Sequence, residues 1–129
     1  MPRPKGKSEL LTSVELEYMM ALWQLGSGTV RQVLDVLNRG EKRAYTSVAT
    51  TLRVLHDKGY LSAKKRERTF VYTPTLSKNE YEGKTLRNLA NSLFNGAPTA
   101  LVARLVEDDA LSEETIREIK EIIDTRFEG

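Results

Sequence analysis

The stretch from residue 44 to residue 59 constrains the fold most, because it combines a helical apolar stripe with an unusual polar face. Val48, Leu52 and Leu55 follow at the i, i+4, i+7 spacing of one helix face. Short hydroxyl side chains and an arginine occupy the opposite side, where a merely solvated helix usually carries Glu and Lys. Short donors beside a long cation suit a helix that lies in a DNA groove. The pattern therefore predicts a recognition helix over about 45–58.

Four side chains on that polar face are the candidates for contacting base edges. Arg can bind guanine through two hydrogen bonds, and Thr and Ser can bind base edges or phosphates. The first two hydroxyls have a second interpretation, in which they only cap the helix, whose cap is expected within 45–47. The candidates are Thr46, Ser47, Thr50 and Arg53.

Two further helices are predicted ahead of this one. Thr12 with Glu15, and Thr29 with Gln32, have the spacing of a capping box, in which each side chain bonds the other residue's backbone N–H. Glycines at 26 and 28 end the first helix, and Trp23 is expected to anchor its core. The apolar stripes are Leu16, Met19, Met20 and Trp23 in the first helix, and Val30, Val33, Leu34 and Leu37 in the second.

A short β-hairpin is predicted after the third helix. Gly59 is expected to close that helix in a left-handed conformation. Tyr60–Lys65 and Thr69–Thr73 have strand composition, and Pro74 ends the second strand. Phe70 and Tyr72 share one strand face and are expected to pack inward or flank the hairpin.

Three helices followed by a basic hairpin is the order of a winged helix-turn-helix, with the hairpin as the wing. The wing cations at 64–68 are interpreted as contacts to the DNA backbone, the alternative being a solvated basic loop. A basic arm at 1–9 could contact phosphates, or it could be only a chain end. The predicted backbone contacts are Arg43, Tyr45, Lys64, Lys65, Arg66 and Arg68, with Arg3, Lys5 and Lys7 in the arm.

The remaining residues predict a separate helical region. We expect a DNA-binding domain over 10–74 and a three-helix dimerisation domain over 75–129. A chain of about 55 residues buries little surface by itself, so pairing with a second copy would complete its core. The residues expected to pair are Leu86, Leu89, Leu93, Leu101, Val102, Leu105, Ile116, Ile119, Ile123 and Phe127.

The charge distribution supports this division. Residues 1–74 hold 13 Lys/Arg and 7 Asp/Glu, a net charge of +6, whereas residues 75–129 hold 7 and 11, a net charge of −4. A basic first half suits a polyanion and an acidic second half suits a protein partner.

Composition argues against chemistry that depends on metals or nucleophiles. The chain has no cysteine and one histidine, His56, which is expected to be a surface residue. No catalytic motif accompanies it, so neither an enzyme nor a cofactor or metal site is expected. No apolar run of about 18 residues or secretory signal is present, which favours the cytoplasm.

With these segments in place, the chain resembles the penicillinase-repressor (BlaI/MecI/CopY) family of bacterial regulators. The resemblance rests on L-T-S-V-E-L-E-Y-M-M-A-L-W at 11–23, T-V-R-Q-V-L at 29–34, A-Y-T-S-V-A-T-T-L at 44–52, K-G at 58–59 and R-T-F-V-Y-T-P at 68–74. It implies a homodimeric winged-helix repressor that binds promoter palindromes through TACA/TGTA half-sites. It also implies an upstream sensor protease that inactivates antibiotic-responsive members by cleavage in the C-terminal helices.

Three departures from the family pattern matter. Copper-responsive members carry a C-terminal cysteine motif, which is absent here. The Asn–Phe bond cleaved in β-lactam-responsive members aligns with Arg104–Leu105. The wing turn usually contains Gly where this chain has Glu67, so we expect a different turn; a carboxylate at this place is unfavourable near phosphate unless Arg66 or Arg68 neutralises it.

These features predict a sequence-specific transcriptional repressor that binds a palindromic operator as a homodimer. The competing hypothesis is a winged-helix adaptor that binds proteins and does not recognise DNA sequence. The adaptor hypothesis predicts that neutralising the wing cations leaves function intact.

Overall fold

The structure is a computed structural model that describes residues 10–128, with side chains described through residue 126. Over this range the chain forms six helices and one two-stranded antiparallel sheet, which confirms the predicted mainly α fold with a β-hairpin. The elements are α1 (Ser13–Leu25), α2 (Val30–Leu37), α3 (Tyr45–Asp57), β1 (Leu61–Arg66), β2 (Thr69–Pro74), α4 (Lys78–Leu93), α5 (Pro98–Val106) and α6 (Glu113–Glu128).

The chain divides into two compact units, one ending at Thr85 and one beginning at Leu86. The boundary falls inside α4. A compact unit is not by itself an independently folding domain, so the domain division at residue 74 stays a prediction.

The starts of α1 and α2 follow the predicted capping chemistry. The Thr12 hydroxyl accepts a hydrogen bond from the Glu15 amide at 3.1 Å, and the Glu15 carboxylate accepts one from the Thr12 amide at 3.0 Å. Thr29 and Gln32 make the same reciprocal pair at 3.2 and 2.9 Å. Each box satisfies donors that the first turn leaves without intrahelical partners.

The buried face of α1 differs from the predicted stripe. Met20 is exposed and Leu16 is only half-buried, whereas Tyr18 and Leu22 are almost fully buried together with Met19. Seven of the eight residues from 16 to 23 are apolar or aromatic, so several stripes with helical spacing overlap. Packing against the other helices decides between them, and periodicity alone selected the wrong one.

Trp23 joins α1 to the beginning of α4, as expected of a core anchor. Its indole Nε1 donates to the Leu76 carbonyl at 3.0 Å, and its ring centroid lies 5.8 Å from that of Tyr81. The Tyr81 hydroxyl in turn accepts a hydrogen bond from the Leu11 amide at 3.0 Å. The first turn of α4 is therefore part of the first unit.

The apolar stripe of α3 lies at the centre of the first core. Val48, Leu52 and Leu55 are fully buried, as the spacing predicts. They share one cluster with residues from α1, α2, both strands and the turn before β1: Tyr18, Met19, Ala21, Leu22, Val30, Val33, Leu34, Leu37, Tyr60, Leu61 and Tyr72.

The hairpin is held against the helices at its open end. The Gly28 amide donates to the Tyr72 carbonyl at 2.9 Å, and the Tyr72 amide donates to the Gly28 carbonyl at 2.8 Å. Gly59 has a φ of 91°, in the positive region that favours glycine, as expected for the residue that closes α3. The hairpin is therefore fixed to the loop between α1 and α2, with β1 against α3 and β2 against α1.

The second unit has little buried core in the single chain. Ala90 is its one buried hydrophobic residue among those described, while Leu93 and Ile122 are 66% and 70% exposed. Pro98 begins α5, after a turn in which Asn95 and Gly96 both have positive φ. None of the described helices in either unit is long and apolar enough to cross a membrane.

Candidate nucleic-acid interface

The outer face of α3 is formed by the four predicted base-contacting residues. Their side chains are all exposed, while the opposite stripe of the same helix is fully buried. Thr46, Thr50 and Arg53 are spaced by four and three residues, so they form one ridge along the helix, with Ser47 beside it. The structure thus brings the predicted side chains together on one accessible surface.

Capping does not account for the two hydroxyls at the start of α3. The N-cap is Ala44, and no side chain caps this end of the helix. The expected cap within Tyr45–Ser47 was wrong, because the helix already begins at Tyr45 and places Thr46 and Ser47 inside its first turn. The interpretation in which these hydroxyls serve only as caps therefore fails.

A groove of about 550 Å³ separates the ridge from the hairpin. Thr50 and Arg53 lie on its helix side, and Arg68 and Phe70 lie on its hairpin side. Its walls combine hydrogen-bond donors with aromatic surface. The other lining residues are Val30, Tyr45, Ala49, His56, Asp57, Ala63, Thr69 and Tyr72.

The strand register decides which hairpin side chains share the groove face. Lys65 lies opposite Phe70, and Ala63 lies opposite Tyr72, so these four residues are on one face. Lys64 lies opposite Val71 on the other face. Tyr72 packs inward, whereas Phe70 is 48% exposed and flanks the groove, so both expected positions occur.

The hairpin tip carries exposed cations. None of the ion pairs among the described residues involves a cation of the hairpin. Glu67 occupies the turn with a φ of 59°, a conformation that glycine adopts at lower cost. The exposed tip cations are Lys64, Lys65, Arg66 and Arg68.

Arg43 has a position within the fold that its sequence context did not indicate. Its guanidinium pairs with Glu17, donates to the carbonyl of Glu41 at 3.3 Å and lies 6.0 Å from the ring centroid of Tyr18. Its backbone amide also donates to the Asn38 side chain at 2.8 Å. Arg43 therefore ties the start of α3 to α1 and α2, and it is less accessible than the hairpin cations.

One exposed arginine beside the predicted interface was missed from the sequence. Arg31, in the first turn of α2, lies over the ring of Tyr45, with 5.5 Å between the guanidinium carbon and the ring centroid. A helix periodicity gave no reason to connect the two residues, since they lie 14 positions apart on different helices.

The C-terminal end of α3 is anchored by a largely buried carboxylate. The Lys58 ammonium donates to Glu15, which is 8% exposed and also accepts the Thr12 amide. Burial alone would raise the pKa of Glu15, but the hydrogen bonds from Lys58 and Thr12 and the charge of Lys58 together outweigh that effect, so its pKa lies below the ordinary value. The charged form of Glu15 is therefore the one that holds α3.

His56 lies on the surface beside Asp57, with 3.4 Å between its Nδ1 and the carboxylate. Both side chains are exposed. Across residues 10–126, whose side chains the structure describes, no group of three or more His, Asp or Glu side chains is arranged to hold a metal ion. Arg3, Lys5 and Lys7 lie outside the described residues, so their predicted contacts with the DNA backbone stay a prediction.

The predicted dimerisation residues form exposed apolar surface in the second unit. Leu101 and Ile119 are half-buried, and the side chain of Phe127 lies outside the described range. Ile122 is more exposed than any member of the predicted set whose side chain is described, yet it was not included, because the chosen stripe passed through Ile119 and Ile123. The exposed members are Leu86, Leu89, Leu93, Val102, Leu105, Ile116 and Ile123.

Comparison with known proteins gives consistent matches along nearly the whole chain. The family model described as "Penicillinase repressor" matches residues 11–125. The penicillinase repressor of Bacillus licheniformis is 30% identical over 114 residues, covering 88% of this chain and 89% of that protein. The methicillin resistance regulatory protein MecI of Staphylococcus aureus (strain Mu50) is 23% identical over 121 residues, covering 94% of this chain and 98% of that protein.

A solved structure resembles part of the chain. The solution structure of the DNA-binding domain of the repressor BlaI superposes with a TM-score of 0.50 and 31% sequence identity. The match covers 55% of this chain and 87% of that domain. The similarity supports a winged-helix arrangement for the matched part of the chain.

Proposed function

This chain belongs to the penicillinase repressor family, whose members are DNA-binding repressors and not enzymes, and we propose that it represses transcription as a homodimer on a palindromic operator. The observation that carries the proposal is the exposed ridge of α3 beside a basic hairpin. A helix buried along one full stripe is fixed in orientation, so its opposite face is presented as a rigid surface.

The ridge has the chemistry of a major-groove contact. The Arg53 guanidinium can bind guanine O6 and N7 together, and a good bidentate pair discriminates against a wrong base by about 1–3 kcal/mol. Thr46, Ser47 and Thr50 can donate to base acceptors, and the threonine methyl groups can contact the thymine methyl. We assign these four side chains to sequence recognition.

The hairpin cations are suited to the DNA backbone. All four are exposed and Arg68 lines the groove beside the ridge, so the hairpin can reach phosphates that flank the bases contacted by α3. Such contacts add affinity with little sequence information, and each neutralised phosphate steepens the salt dependence by about 0.9 in log–log slope. Arg43 belongs with them only if DNA draws it away from Glu17.

The second unit supports dimerisation. Its apolar side chains are exposed in the single chain, where contact with water is unfavourable by about 25 cal/mol for each Å² of apolar surface. A second copy offers the same surface, so a two-fold axis can bury both at once. Two α3 helices related by that axis would meet successive major grooves about 34–36 Å apart, which is the geometry of a palindrome.

The resemblance to antibiotic-responsive repressors also predicts an upstream sensor protease as a partner. The aligned bond, Arg104–Leu105, lies inside α5. A protease would have to unwind that helix to reach the bond, since cleavage requires an extended backbone. Proteolytic control therefore stays a prediction.

Selection from a random duplex library, followed by a gel-shift titration, tests the proposal. We expect a selected palindrome to bind far more tightly than its scrambled counterpart at physiological salt. Equal affinity for both duplexes would contradict sequence-specific binding. The adaptor hypothesis would gain support if neutralising the hairpin cations left the regulatory effect unchanged.

A further inference from the structure

Arg31 and Tyr45 bring the first turns of two helices together at one end of the groove. Arg31 follows the capping residue Thr29 by two positions, and Tyr45 is the first residue of α3. Tyr45 also lines the groove between α3 and the hairpin. The guanidinium of Arg31 therefore lies beside the place where this groove begins.

The Arg31 guanidinium has no assigned carboxylate partner. Among the ion pairs of the described residues, none includes Arg31. This contrasts with Arg43, whose guanidinium is neutralised by Glu17 within the fold. Arg31 thus keeps an uncompensated charge at the surface, next to side chains that face the proposed DNA.

The ring of Tyr45 restricts the Arg31 side chain before any DNA is bound. A free arginine side chain loses considerable rotamer freedom when it binds a phosphate. Stacking over the face of Tyr45 restricts that freedom before binding and leaves the guanidinium edge, with its N–H donors, available for a phosphate. The same ring can pack against a deoxyribose of the strand that enters the groove.

We propose that Arg31, held over Tyr45, is an additional phosphate contact at the end of the groove, with Tyr45 as its positioning residue. The inference rests on the proposed DNA-binding function and extends it to a residue on α2. Arg31 would contact the DNA backbone at the end of the groove, in addition to the phosphate contacts made by the hairpin cations.

The test uses the full chain and a fluorescent duplex selected from a random library by the unmodified protein. Affinity is measured over a range of salt concentrations for the wild type and for Arg31→Ala. We expect Arg31→Ala to weaken binding about equally on the selected and scrambled duplexes and to reduce the log–log salt slope by about 0.9. Arg39→Ala removes the same charge beyond the opposite end of α2 and should leave the slope unchanged.

Tyr45 variants separate positioning from simple charge. Tyr45→Phe keeps the ring and should retain most of the affinity, whereas Tyr45→Leu should weaken binding. In the Arg31→Ala background, Tyr45→Leu should have a smaller effect than it has alone, because the ring no longer has a guanidinium to hold. Thermal unfolding of each variant verifies that the fold is intact.

Distinct results would overturn this inference or the function on which it rests. An unchanged slope in Arg31→Ala, with a reduced slope in Arg68→Ala, would reject the Arg31 contact and leave DNA binding standing. Equal slope losses in Arg31→Ala and Arg39→Ala would show an effect of overall charge and would also reject it. A wild-type protein that binds no duplex would overturn the proposed function and this inference together.

Discussion

The ammonium of Lys58, at the C-terminal end of α3, donates a hydrogen bond to the carboxylate of Glu15 in the first turn of α1. The same carboxylate accepts the Thr12 amide and so completes the capping box of α1. One charged side chain therefore stabilises the start of one helix and fixes the end of the recognition helix. The partners lie 43 positions apart in the chain, so this contact constrains the tertiary structure.

Acid should weaken the first unit through Glu15. Because the pKa of Glu15 in the folded state is lowered from its ordinary value, its contribution to stability is present above that ordinary value and is lost as pH falls through the folded pKa. We expect Glu15→Gln to lower the free energy of unfolding at neutral pH by about 1–3 kcal/mol and to flatten its decline in acid. Urea unfolding at a series of pH values measures both effects.

Glu82→Gln is the matched control for that experiment. Glu82 is exposed on α4, and none of the ion pairs among the described residues includes it. Its removal should leave the acid profile close to that of the wild type. A Glu15→Gln profile that parallels the wild type would argue against a stabilising role for the Glu15–Lys58 pair.

Two neighbouring lysines of the hairpin should differ in their contribution to DNA binding. Lys65 shares the groove face with Phe70 and Tyr72, whereas Lys64 points from the opposite face of the hairpin. We expect Lys65→Ala to weaken all duplexes alike and to reduce the salt slope by about 1, with a smaller change for Lys64→Ala. Equal losses for the two variants would mean that the hairpin acts through its net charge and not through a defined face.

Local patterns predicted the helices and the hairpin well, because short-range chemistry decides them. The capping pairs at Thr12 and Thr29 fixed two helix starts, and the spacing of Val48, Leu52 and Leu55 fixed the buried side of α3. Turn residues also carried their expected role, as the positive φ of Gly59 shows. Each of these signals spans only a few residues.

Features that depend on tertiary contacts could not be obtained in the same way. The buried face of α1 was misplaced by overlapping apolar stripes, and the absence of a side-chain cap at Ala44 was not foreseen. The contact between Arg31 and Tyr45 and the pairing of Arg43 with Glu17 join different helices. The spacing of residues within one helix gives no information about contacts between helices. The sequence therefore predicted the parts of the candidate interface on α3 and on the hairpin, but not the contacts that join different helices.

Arg53 and the hairpin should give different mutational signatures. If Arg53 binds a base edge, Arg53→Ala should relax specificity at one operator position, at a cost of about 1–3 kcal/mol for the preferred base. Binding to duplexes substituted one position at a time measures this change. A uniform loss on every duplex, like that expected for Lys65→Ala, would assign Arg53 to the backbone instead.

A fragment that ends at Thr85 should be more stable than one that ends at Pro74. The shorter fragment lacks the Leu76 carbonyl, which accepts from the Trp23 indole, and the Tyr81 ring, which packs on Trp23. Loss of a packed aromatic side chain costs on the order of 3 kcal/mol, a large part of the stability of a small unit. Thermal unfolding of both fragments tests this, and equal stabilities would place the domain boundary at residue 74.

A charge on the exposed apolar surface of the second unit should abolish dimerisation without unfolding the first unit. Leu93 is 66% exposed in the single chain, so Leu93→Glu disturbs little intramolecular packing. In a dimer the same carboxylate would be buried against apolar side chains, at a cost of several kcal/mol.

Met20→Glu, at an exposed apolar position on α1, is the matched control. We expect sedimentation equilibrium to show a monomer for Leu93→Glu and an unchanged dimer for Met20→Glu, with operator affinity reduced only in the first. Dimers of equal strength in both variants would place the dimer interface away from Leu93.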